Sequence, residues 1–460
     1  MITPVDSRVL DANTEALGIP VATLMDNAGT AIADFLKHNY PAHKILFVCG
    51  PGNNGGDGFA AALKLDPSQT KVALLRKASE IHTDIARERY SLLECDISPY
   101  TPDCLLKCDV IVDCALGTGL IGSIREPYRS FIDEANASGK TIISVDIPSG
   151  FGTDLQIKPE HTITFHDVKT GMNESNSGKI HICDIGIPKE ASTIVGPGDM
   201  LRYPIPKPDS HKGQNGKLMV IGGGPYFGAP IMSSLSALRI GTDLVRIFTP
   251  ESSALPISIS SPVLMVTSLK GDHLCQSDVD YLLKESDNFD SVLIGPGLGT
   301  NDETKTAIRD FVSKCNRPLV IDADGITAIS DMQLPEGTIV TPHAREYSRL
   351  NPNDMDQIEL SKSLNAIVLR KGKNDVISDG HRSRINNTGT PAMTGAGTGD
   401  VLSGAVASLL SKGMTPFDAS CLGAYIVGKA GEYAFSERSY GMIATDVIDC
   451  IPRVLLDGLR

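Results

Sequence analysis

Runs of continuous apolar residues recur along the chain, and stretches long enough for a helix separate them. In the first part of the chain the runs occupy residues 45–50, 71–75, 109–116 and 141–147. Continuous rather than alternating hydrophobicity is typical of strands that are covered on both faces. The pattern therefore predicts a parallel β-sheet flanked by helices, which is an α/β fold.

The same pattern starts again in the second part of the chain. These runs occupy residues 217–224, 244–250, 291–299, 318–326, 337–343 and 365–372. Between the two parts, residues 201–216 contain Pro204, Pro206 and Pro208, which disrupt a helix and favour an extended linker. We therefore predict two domains, 1–205 and 206–460, each a three-layer α/β/α structure. The halves share no repeat that can be aligned, so they indicate a fusion of unrelated modules.

Charge and composition exclude several classes of protein. The 460 residues include 42 basic and 55 acidic side chains, a net charge of −13 that would repel nucleic acid and anionic lipid. No apolar run approaches the roughly 18 residues of a membrane span, and the N-terminus lacks the pattern of a secretory signal. These features predict a cytoplasmic protein that binds neither nucleic acid nor membranes.

Ten cysteines are present without a C-x-x-C pair, and many lie in apolar runs. They predict structural or incidental thiols rather than a disulfide or zinc framework.

A first candidate site lies in three turns that follow predicted strands, at 49–58, 113–122 and 145–150. The carboxyl ends of parallel strands meet at one sheet edge, where ligands bind in such folds. The Gly-rich turn at 49–58, with a helix predicted to begin near Asp57, would present free N–H groups to a phosphate. It matches neither G-x-G-x-x-G nor the P-loop pattern, which disfavours a standard dinucleotide-binding fold or P-loop. From its position alone, Asp146 could transfer protons or could cap the turn that follows it.

These three turns carry a resemblance to a known family. NNGGDG at 53–58, DCALGTGLIG at 113–122 and VDIPSG at 145–150 resemble the NAD(P)H-hydrate epimerase domain, over roughly residues 1–205. The resemblance implies a Rossmann-like fold in which Asp146 is the acid/base residue. It implies a potassium ion held by the oxygen ligands Asn54, Asp113 and Ser149, which suit a hard cation. The residues that it implies for binding the hydrated dinucleotide are Asn53, Asn54, Gly55, Gly56, Asp57, Gly117, Thr118, Gly119, Leu120, Ile121, Gly122, Ser123 and Asp146.

A second candidate site is the turn TGAGTGD at 394–400, which runs directly into an apolar helix. The helix N-terminus would face a phosphate, with Asp400 at its mouth. An aspartate that only caps the helix is the simpler alternative. The segment resembles the anion hole of the ribokinase-like superfamily, which implies that Asp400 takes a proton from the hydroxyl that is phosphorylated.

Further segments of the second half extend this resemblance. Residues 211–230, 294–299, 341–350 and 370–377 resemble the ADP-dependent NAD(P)H-hydrate dehydratase, over roughly residues 210–456. The resemblance implies that ADP, with Mg²⁺, binds at Lys371, Gly372, Lys373, Asn374, Asp375 and Gly399. The implied contacts to the hydrated nucleotide are Ala229, Gly297, Gly299, His343 and Asp400. By itself, His343 could equally be a structural turn residue.

Together the two resemblances imply an enzyme, both isomerase and lyase, that repairs nicotinamide nucleotides. It would interconvert the R and S forms of hydrated NAD(P)H. It would then dehydrate the S form at the expense of ADP, by phosphorylating the ring hydroxyl and eliminating phosphate. The resemblance also implies a homo-oligomer, with a tetramer as the expected form. Three alternatives stay open: a small-molecule kinase, ATP as the donor, and a first domain that only binds its ligand.

Overall fold

The computed structural model describes residues 1–119 and 122–459. The chain divides into two compact units, Met1–Ala191 and Ser192–Arg460. Leu120 and Ile121, which the sequence assigns to the first site, lie outside the described residues. No helix in the described part is long and apolar enough to cross a membrane.

The first unit is built around one parallel sheet. Its strands are β1 Ile45–Cys49, β2 Thr70–Leu74, β3 Asp96–Pro99, β4 Val110–Cys114, β5 Thr141–Val145, β6 His161–Phe165 and β7 Lys179–Cys183. Its helices are α1 Pro4–Ala16, α2 Val21–Asn39, α3 Asn53–Ala62, α4 Asp84–Ser91, α5 Asp103–Leu106, α6 Tyr128–Ala137 and α7 Glu174–Ser177, with a 3₁₀ turn at Ala78–Glu80. A short helix, α8 Lys189–Thr193, spans the division between the units.

The strand order is β3-β2-β1-β4-β5-β6-β7 among the described residues. The order reverses between β1 and β4, which opens a crevice at their carboxyl ends. Both strands are buried along their whole length, with Phe47 and Val112 at zero exposure. Apolar side chains of α2 and α3 cover one face, and those of α6, including Phe131, cover the other. The predicted three-layer, Rossmann-like architecture is confirmed.

The second unit contains a larger, mixed sheet. Its strands are β8 Lys217–Ile221, β9 Leu244–Pro250, β10 Met265–Leu269, β11 Ser291–Ile294, β12 Leu319–Ile321, β13 Thr338–Val340, β14 Ala366–Arg370, β15 Asp375–Ser378 and β16 Ser383–Asn386. Its helices are α9 Gly228–Ile240, α10 Glu251–Ser260, α11 Val279–Ser286, α12 Asp302–Lys314, α13 Asp324–Ala328, α14 Ala344–Leu350, α15 Gln357–Leu364, α16 Thr398–Ser411, α17 Pro416–Arg438 and α18 Ala444–Gly458. Its 3₁₀ turns are Pro197–Arg202, Gln276–Asp278, Pro391–Thr394 and Ser439–Gly441.

The described strands follow the order β10-β9-β8-β11-β12-β13-β14-β15-β16. All neighbours pair in parallel except β14 with β15 and β15 with β16, which are antiparallel. Helices α9, α16, α17 and α18 cover one face, and α11 and α12 cover the other. The switch in strand order falls between β8 and β11, so a second crevice opens there.

The segment before the prolines belongs to the second unit. Val195 donates its N–H to Ile385 O at 2.9 Å. Arg384 donates to both carboxylate oxygens of the buried Asp199, at 2.5 and 2.9 Å, and Tyr203 donates its hydroxyl to Ile240 O at 2.7 Å. These contacts place the structural division at 191/192, whereas the prolines place the predicted boundary at 205/206. Prolines mark where regular structure stops, not which core a segment joins.

Candidate active sites

A cavity of about 580 Å³ opens at the carboxyl ends of β1 and β4 in the first unit. Its described lining includes seven of the predicted site residues: Asn53, Asn54, Asp57, Gly117, Thr118, Gly119 and Asp146. Helices α1 and α2 close it with Asp11, Leu24 and Met25. The predicted convergence of the three turns at one sheet edge is therefore present in the structure.

The helix after β1 begins at Asn53 and not near Asp57 as the sequence predicted. The reason is close packing, because the glycines of this segment leave no room for side chains. A Cβ on Gly55 would lie 2.0 Å from Gly50 O, and one on Gly56 would lie 2.5 Å from the Cε of Met25. Gly55 and Gly56 are buried in this packing, while Asn53 and Asp57 line the cavity. Gly122 and Ser123 are exposed and do not line it.

Asp146 adopts a left-handed backbone conformation with φ of 62°. That conformation is uncommon for a residue other than glycine and is concentrated at functional sites. The Oδ1 atom of Asp146 pairs with the ammonium group of Lys169 and accepts from Phe165 N–H at 3.3 Å. Lys169 is only 1 % exposed and also donates to Thr164 Oγ1 at 3.0 Å. The carboxylate of Asp146 is thus held firmly at the cavity wall.

The carboxylate that caps the turn after β5 is Asp113, because Ser149 donates its N–H to Asp113 Oδ2 at 2.9 Å. The turn-capping role that was open for Asp146 is therefore filled by another residue.

Three carboxyl groups share this end of the cavity with one lysine. Burial, together with the charges of Asp146 and Asp11, raises the pKa of Asp57 well above its usual range. Burial and the charge of Asp146 raise the pKa of Asp11 to about 6. The raised pKa favours the protonated form of Asp57 over the charged form, compared with an ordinary aspartate. The sequence reasoning missed Asp11 and Lys169, since neither lies in a recognisable motif.

The predicted cation ligands form a hydrogen-bonded group that includes Asn54 on the cavity wall. Asp113 is fully buried and accepts from Ser149 Oγ at 2.5 Å and from Ser144 Oγ at 2.9 Å. Burial raises the pKa of Asp113, and these hydrogen bonds oppose the rise. Asn54 donates Nδ2 to Leu116 O at 3.2 Å, and Leu116 donates its N–H to Ser149 Oγ at 2.8 Å. Within the described residues, the buried Oδ1 of Asn54 has no hydrogen-bond partner. An orphaned buried oxygen, linked through Leu116 and Ser149 to a buried carboxylate, fits a hard cation.

In the second unit, the turns after β8 and β11 pack against each other. Gly297 has φ of 70°, and a Cβ there would lie 2.0 Å from Tyr226 O. Gly299 donates its N–H to Asp324 Oδ2 at 2.8 Å. Ala229 lies in the first turn of α9, which packs along α16 through a hydrogen bond from Ser236 Oγ to Val401 O at 2.7 Å.

Asp400 lies in the first turn of α16, the helix that the Gly-rich turn opens. A Cβ on Gly399 would lie 3.3 Å from Lys371 Nζ, so the lysine reaches the start of this helix. Lys371 pairs with the buried carboxylate of Asp322 at 2.8 Å, and Asp322 also accepts from Thr341 Oγ1 at 2.7 Å. The predicted base and the predicted phosphate-binding lysine are thus adjacent.

The electrostatics of this cluster suit proton transfer near neutral pH. Burial and the charges of Asp322, Asp324 and Glu346 raise the pKa of Asp400 to about 7, although Lys371 opposes the rise. Burial acts to lower the pKa of Lys371, but the surrounding carboxylates outweigh it, so the pKa rises. Lys371 therefore stays charged, while Asp400 is able to take up and release a proton.

His343 caps helix α14. Its Nδ1 accepts from the N–H groups of Arg345 and Glu346 at 3.1 and 3.2 Å, which assigns the proton to Nε2. Nε2 lies 3.4 Å from Glu346 Oε1. Because the ring is 53 % exposed, Nε2–H can also donate to a ligand. The structural role left open by the sequence is present, and about half of the ring stays exposed.

The loop after β14 holds the remaining predicted donor-binding residues. Asp375 accepts from Gly372 N–H at 3.1 Å and from Asn386 Nδ2 at 3.1 Å, which fixes the loop shape. Burial raises the pKa of Asp375. Gly372, Lys373 and Asn374 are exposed. Asp375 therefore shapes the loop, and its exposed neighbours are free to meet a ligand.

Comparison with known proteins adds the family. A model described as NAD(P)H-hydrate dehydratase matches residues 218–453, and one described as YjeF-related protein N-terminus matches residues 21–171. A ribokinase-like superfamily protein of Enterococcus faecalis has a TM-score of 0.52 at 23 % identity, covering 58 % of this chain and 96 % of its own. An ADP/ATP-dependent NAD(P)H-hydrate dehydratase from Bacillus subtilis, co-crystallised with ATP and Mg²⁺, has a TM-score of 0.50 at 23 % identity, covering 58 % and 98 %. The second unit therefore has a ribokinase-like fold, joined to a YjeF-related unit.

Relatives that span both units are closer in sequence. The bifunctional NAD(P)H-hydrate repair enzyme Nnr of Methanothermobacter thermautotrophicus is 37 % identical over 100 % of this chain and 96 % of its own length. The enzyme of the same name from Pyrobaculum aerophilum is 37 % identical over 99 % and 98 %. The chain belongs to the family of bifunctional NAD(P)H-hydrate repair enzymes.

Proposed function

We propose that this chain repairs hydrated nicotinamide nucleotides at two active sites. The first unit interconverts the R and S forms of hydrated NAD(P)H, and the second dehydrates the S form at the expense of ADP. The observation that carries the proposal is the placement of Asp400, with a pKa of about 7, beside Lys371 at the N-terminus of α16. Family membership supports the assignment of both activities.

Asp400 acts as the general base of the dehydratase. It accepts the proton of the ring hydroxyl, whose oxygen then attacks the terminal phosphoryl group of the donor. The N–H groups at the start of α16 and the charge of Lys371 stabilise the negative charge on the transferred group. Loss of phosphate with a ring proton then restores the double bond of the dihydropyridine. Gly297, Gly299, His343 and Ala229 are the proposed contacts to the hydrated nucleotide.

The phosphoryl donor lies along Lys371, Gly372, Lys373, Asn374, Asp375 and Gly399. Three carboxylates, Asp322, Glu346 and Asp400, act on the ammonium group of Lys371, and a fourth, Asp324, acts on Asp400. This surplus of carboxylate oxygen fits Mg²⁺, which binds such ligands together with phosphates. When bound, Mg²⁺ neutralises charge on the donor phosphates. ADP is the proposed donor, and ATP is the second candidate because the Bacillus subtilis relative was co-crystallised with it.

In the epimerase, the cavity at β1 and β4 holds the hydrated nicotinamide ring against Asp146. The proposed contacts are the predicted set, with Asn53, Asn54, Asp57, Gly117, Thr118 and Gly119 on the cavity wall. Inversion at the hydroxyl-bearing carbon requires a bond at that carbon to break and form again on the other face, and Asp146 transfers the proton that accompanies this step. Asp57, on the same cavity wall, is a second carboxyl group within the site.

We also propose that K⁺ binds at Asn54, Asp113 and Ser149 and supports epimerisation. We expect the epimerisation rate to rise with K⁺ concentration at constant ionic strength. The cation would accept Asn54 Oδ1, which has no other partner, as a ligand and so hold Asn54 in place on the cavity wall. Asn54→Ala should lose this response, whereas Asn39→Ala, at the exposed end of α2, should keep it. Equal rates in K⁺ and in tetramethylammonium would contradict the assignment.

The dehydration rate should depend on pH through Asp400. The base works only when deprotonated, so kcat/KM should fall about tenfold per pH unit below a pKa of about 7 and level off above it. Asp324→Asn removes a nearby negative charge but keeps an acceptor for Gly299 N–H, so the acidic limb should move to lower pH. Initial rates at substrate concentrations below KM measure the profile. An unchanged limb in this variant would argue against Asp400 as the titrating base.

The test of the whole function uses an equilibrated mixture of both epimers of hydrated NADH, with Mg²⁺ and ADP or ATP. Return of the absorbance of reduced nicotinamide for the full mixture is expected. If the donor is consumed and a stable phosphorylated product accumulates, the chain is instead a small-molecule kinase, which the ribokinase-like fold also serves. A homo-oligomer, expected as a tetramer, and a cytoplasmic location stay predictions. Light scattering of the purified chain measures the first of these.

A further inference from the structure

A cluster of metal-ligating side chains lies outside both proposed active sites. His273 and Cys275 lie on the loop after β10, and Glu303 lies in the first turn of α12. His273 Nε2 is 3.2 Å from Glu303 Oε2, and one ligand atom from each of the three residues lies within 4.8 Å of the other two. Among the described residues, one group of three His, Cys, Asp or Glu side chains has this spacing, and it is His273, Cys275 and Glu303.

The histidine is oriented as a metal ligand requires. Its Nδ1 lies 2.6 Å from Asp272 Oδ1, which accepts the Nδ1 proton, so Nε2 is the ring nitrogen left to bind a metal once its own proton is released. Metal-bound histidines almost always donate their second ring N–H to such a partner. Without a metal, the protonated ring can donate to both carboxylates, so metal binding exchanges the Nε2 proton for the ion.

The loop that carries the ligands is anchored to the helix. Thr304 donates its buried hydroxyl to Leu274 O at 3.0 Å, between the two loop ligands. Gln276 donates its Nε2–H to Oδ2 of Asp310, which lies on α12, at 2.6 Å. Ligands on two anchored elements need little reorganisation to close around an ion, which lowers the cost of binding.

We propose that His273, Cys275 and Glu303 bind one Zn²⁺, with Asp272 as the positioning residue of His273. One nitrogen, one thiolate and one carboxylate oxygen suit a borderline-soft ion, and Zn²⁺ takes all three. Water completes a four-coordinate site, and the ion ties the loop after β10 to the start of α12. On binding, the thiol proton of Cys275 and any proton on Nε2 pass to solvent as the metal bonds form.

Cys275 stands apart from most other thiols of the chain. The ten cysteines, all within the described residues, are free, and seven are buried: Cys49, Cys104, Cys108, Cys114, Cys315, Cys421 and Cys450. Cys275 is partly exposed and therefore accessible to an ion from solution. The sequence predicted structural or incidental thiols rather than a disulfide or zinc framework, and the zinc site proposed here departs from that prediction at Cys275.

The experiment measures Zn²⁺ bound to the metal-stripped full chain by equilibrium dialysis against a competing chelator. One tightly bound Zn²⁺ per chain is expected, with a rise in the midpoint of thermal unfolding. The double variant His273→Ala, Cys275→Ala should lose both effects. Cys95→Ala, which removes another partly exposed thiol, should keep them. Asp272→Asn should keep the stoichiometry but weaken affinity about 10- to 100-fold.

Co²⁺ substitution supplies a readout that a merely structural role of these residues would not give. A sulfur-to-cobalt charge-transfer band and intense visible bands are expected in the wild type and in Cys95→Ala. Their absence in the wild type would overturn the proposal. Tight Zn²⁺ binding that survives in the double variant, or failure of the wild type to bind one equivalent, would overturn it as well.

Discussion

Asp400→Asn should lower the rate of dehydration about 100- to 10,000-fold, the usual contribution of a general base. The amide cannot accept the proton of the ring hydroxyl, so the attacking oxygen stays neutral. Folding should not suffer, because the substitution removes one negative charge from a crowded group that includes Asp322 and Glu346. Lys371 keeps its ion pair with Asp322. Recovery of reduced nicotinamide from the purified S epimer, with ADP and Mg²⁺, measures the loss.

The matched control for this variant is Asp449→Asn. Asp449 lies on α18 with a largely exposed side chain that pairs with Arg239 at 3.2 Å. Its replacement should leave the dehydration rate within about twofold of the wild type, since exposed pairs contribute little. Epimerisation should be unchanged in both variants. Dehydration at a tenth or more of the wild-type rate in Asp400→Asn would reduce Asp400 to a helix-capping residue.

Asp146→Asn should abolish epimerisation while leaving dehydration of the S form intact. Asparagine has nearly the same shape and keeps an acceptor for Phe165 N–H, but it can no longer exchange a proton with the substrate. On a mixture of epimers, the wild type should restore the absorbance of reduced nicotinamide for both forms. The variant should stop when the S form is exhausted, apart from slow spontaneous conversion.

The buried Lys169 makes a second variant necessary. Removing the charge of Asp146 leaves this cation without its ion-pair partner, which can cost about 3–5 kcal/mol of stability. Asp146→Asn combined with Lys169→Met removes both charges, so it tests catalysis without that penalty. Asp154→Asn, an exposed partner of Arg129, is the control that should behave as the wild type. Continued conversion of the R form in both test variants, at the wild-type rate, would end the acid/base assignment.

The ten apolar runs all contain strands of the structure, because buried parallel strands need apolar side chains on both faces. Strands without such a run escaped prediction. Strand β7 lies at a sheet edge with exposed or partly exposed side chains, and β15 and β16 form an antiparallel hairpin whose strands begin and end in polar residues. Strand β6 alternates threonines with apolar residues, and its buried Thr162 instead donates its hydroxyl to Ser177 O. The local pattern of apolar residues therefore identifies buried strands well, but it identifies strands at the edge of a sheet poorly.

In the candidate sites, too, some residues were predictable from local motifs and others were not. A motif at the end of a strand located Asp146, and a Gly-rich turn at the start of a helix located Asp400, while their catalytic roles stay predictions. The partners that set their chemistry come from distant parts of the chain. Asp11 lies on α1, five strands before Asp146 in the chain, and Lys371 follows β14 whereas its partner Asp322 follows β12. Contacts between residues far apart in sequence leave no periodic signal.

By itself, the sequence determined the class of fold, the positions of most buried strands along the chain, and the family. These features rest on local burial patterns and contiguous motifs. Only the tertiary structure decided three further points. It started helix α3 at Asn53, because Gly55 packs on Gly50; it joined Asp199 to Arg384 in the second unit; and it raised the pKa of Asp400 to about 7. Each of these points depends on burial or on charges that lie far apart in the sequence. Such packing and electrostatic interactions form only in the folded chain.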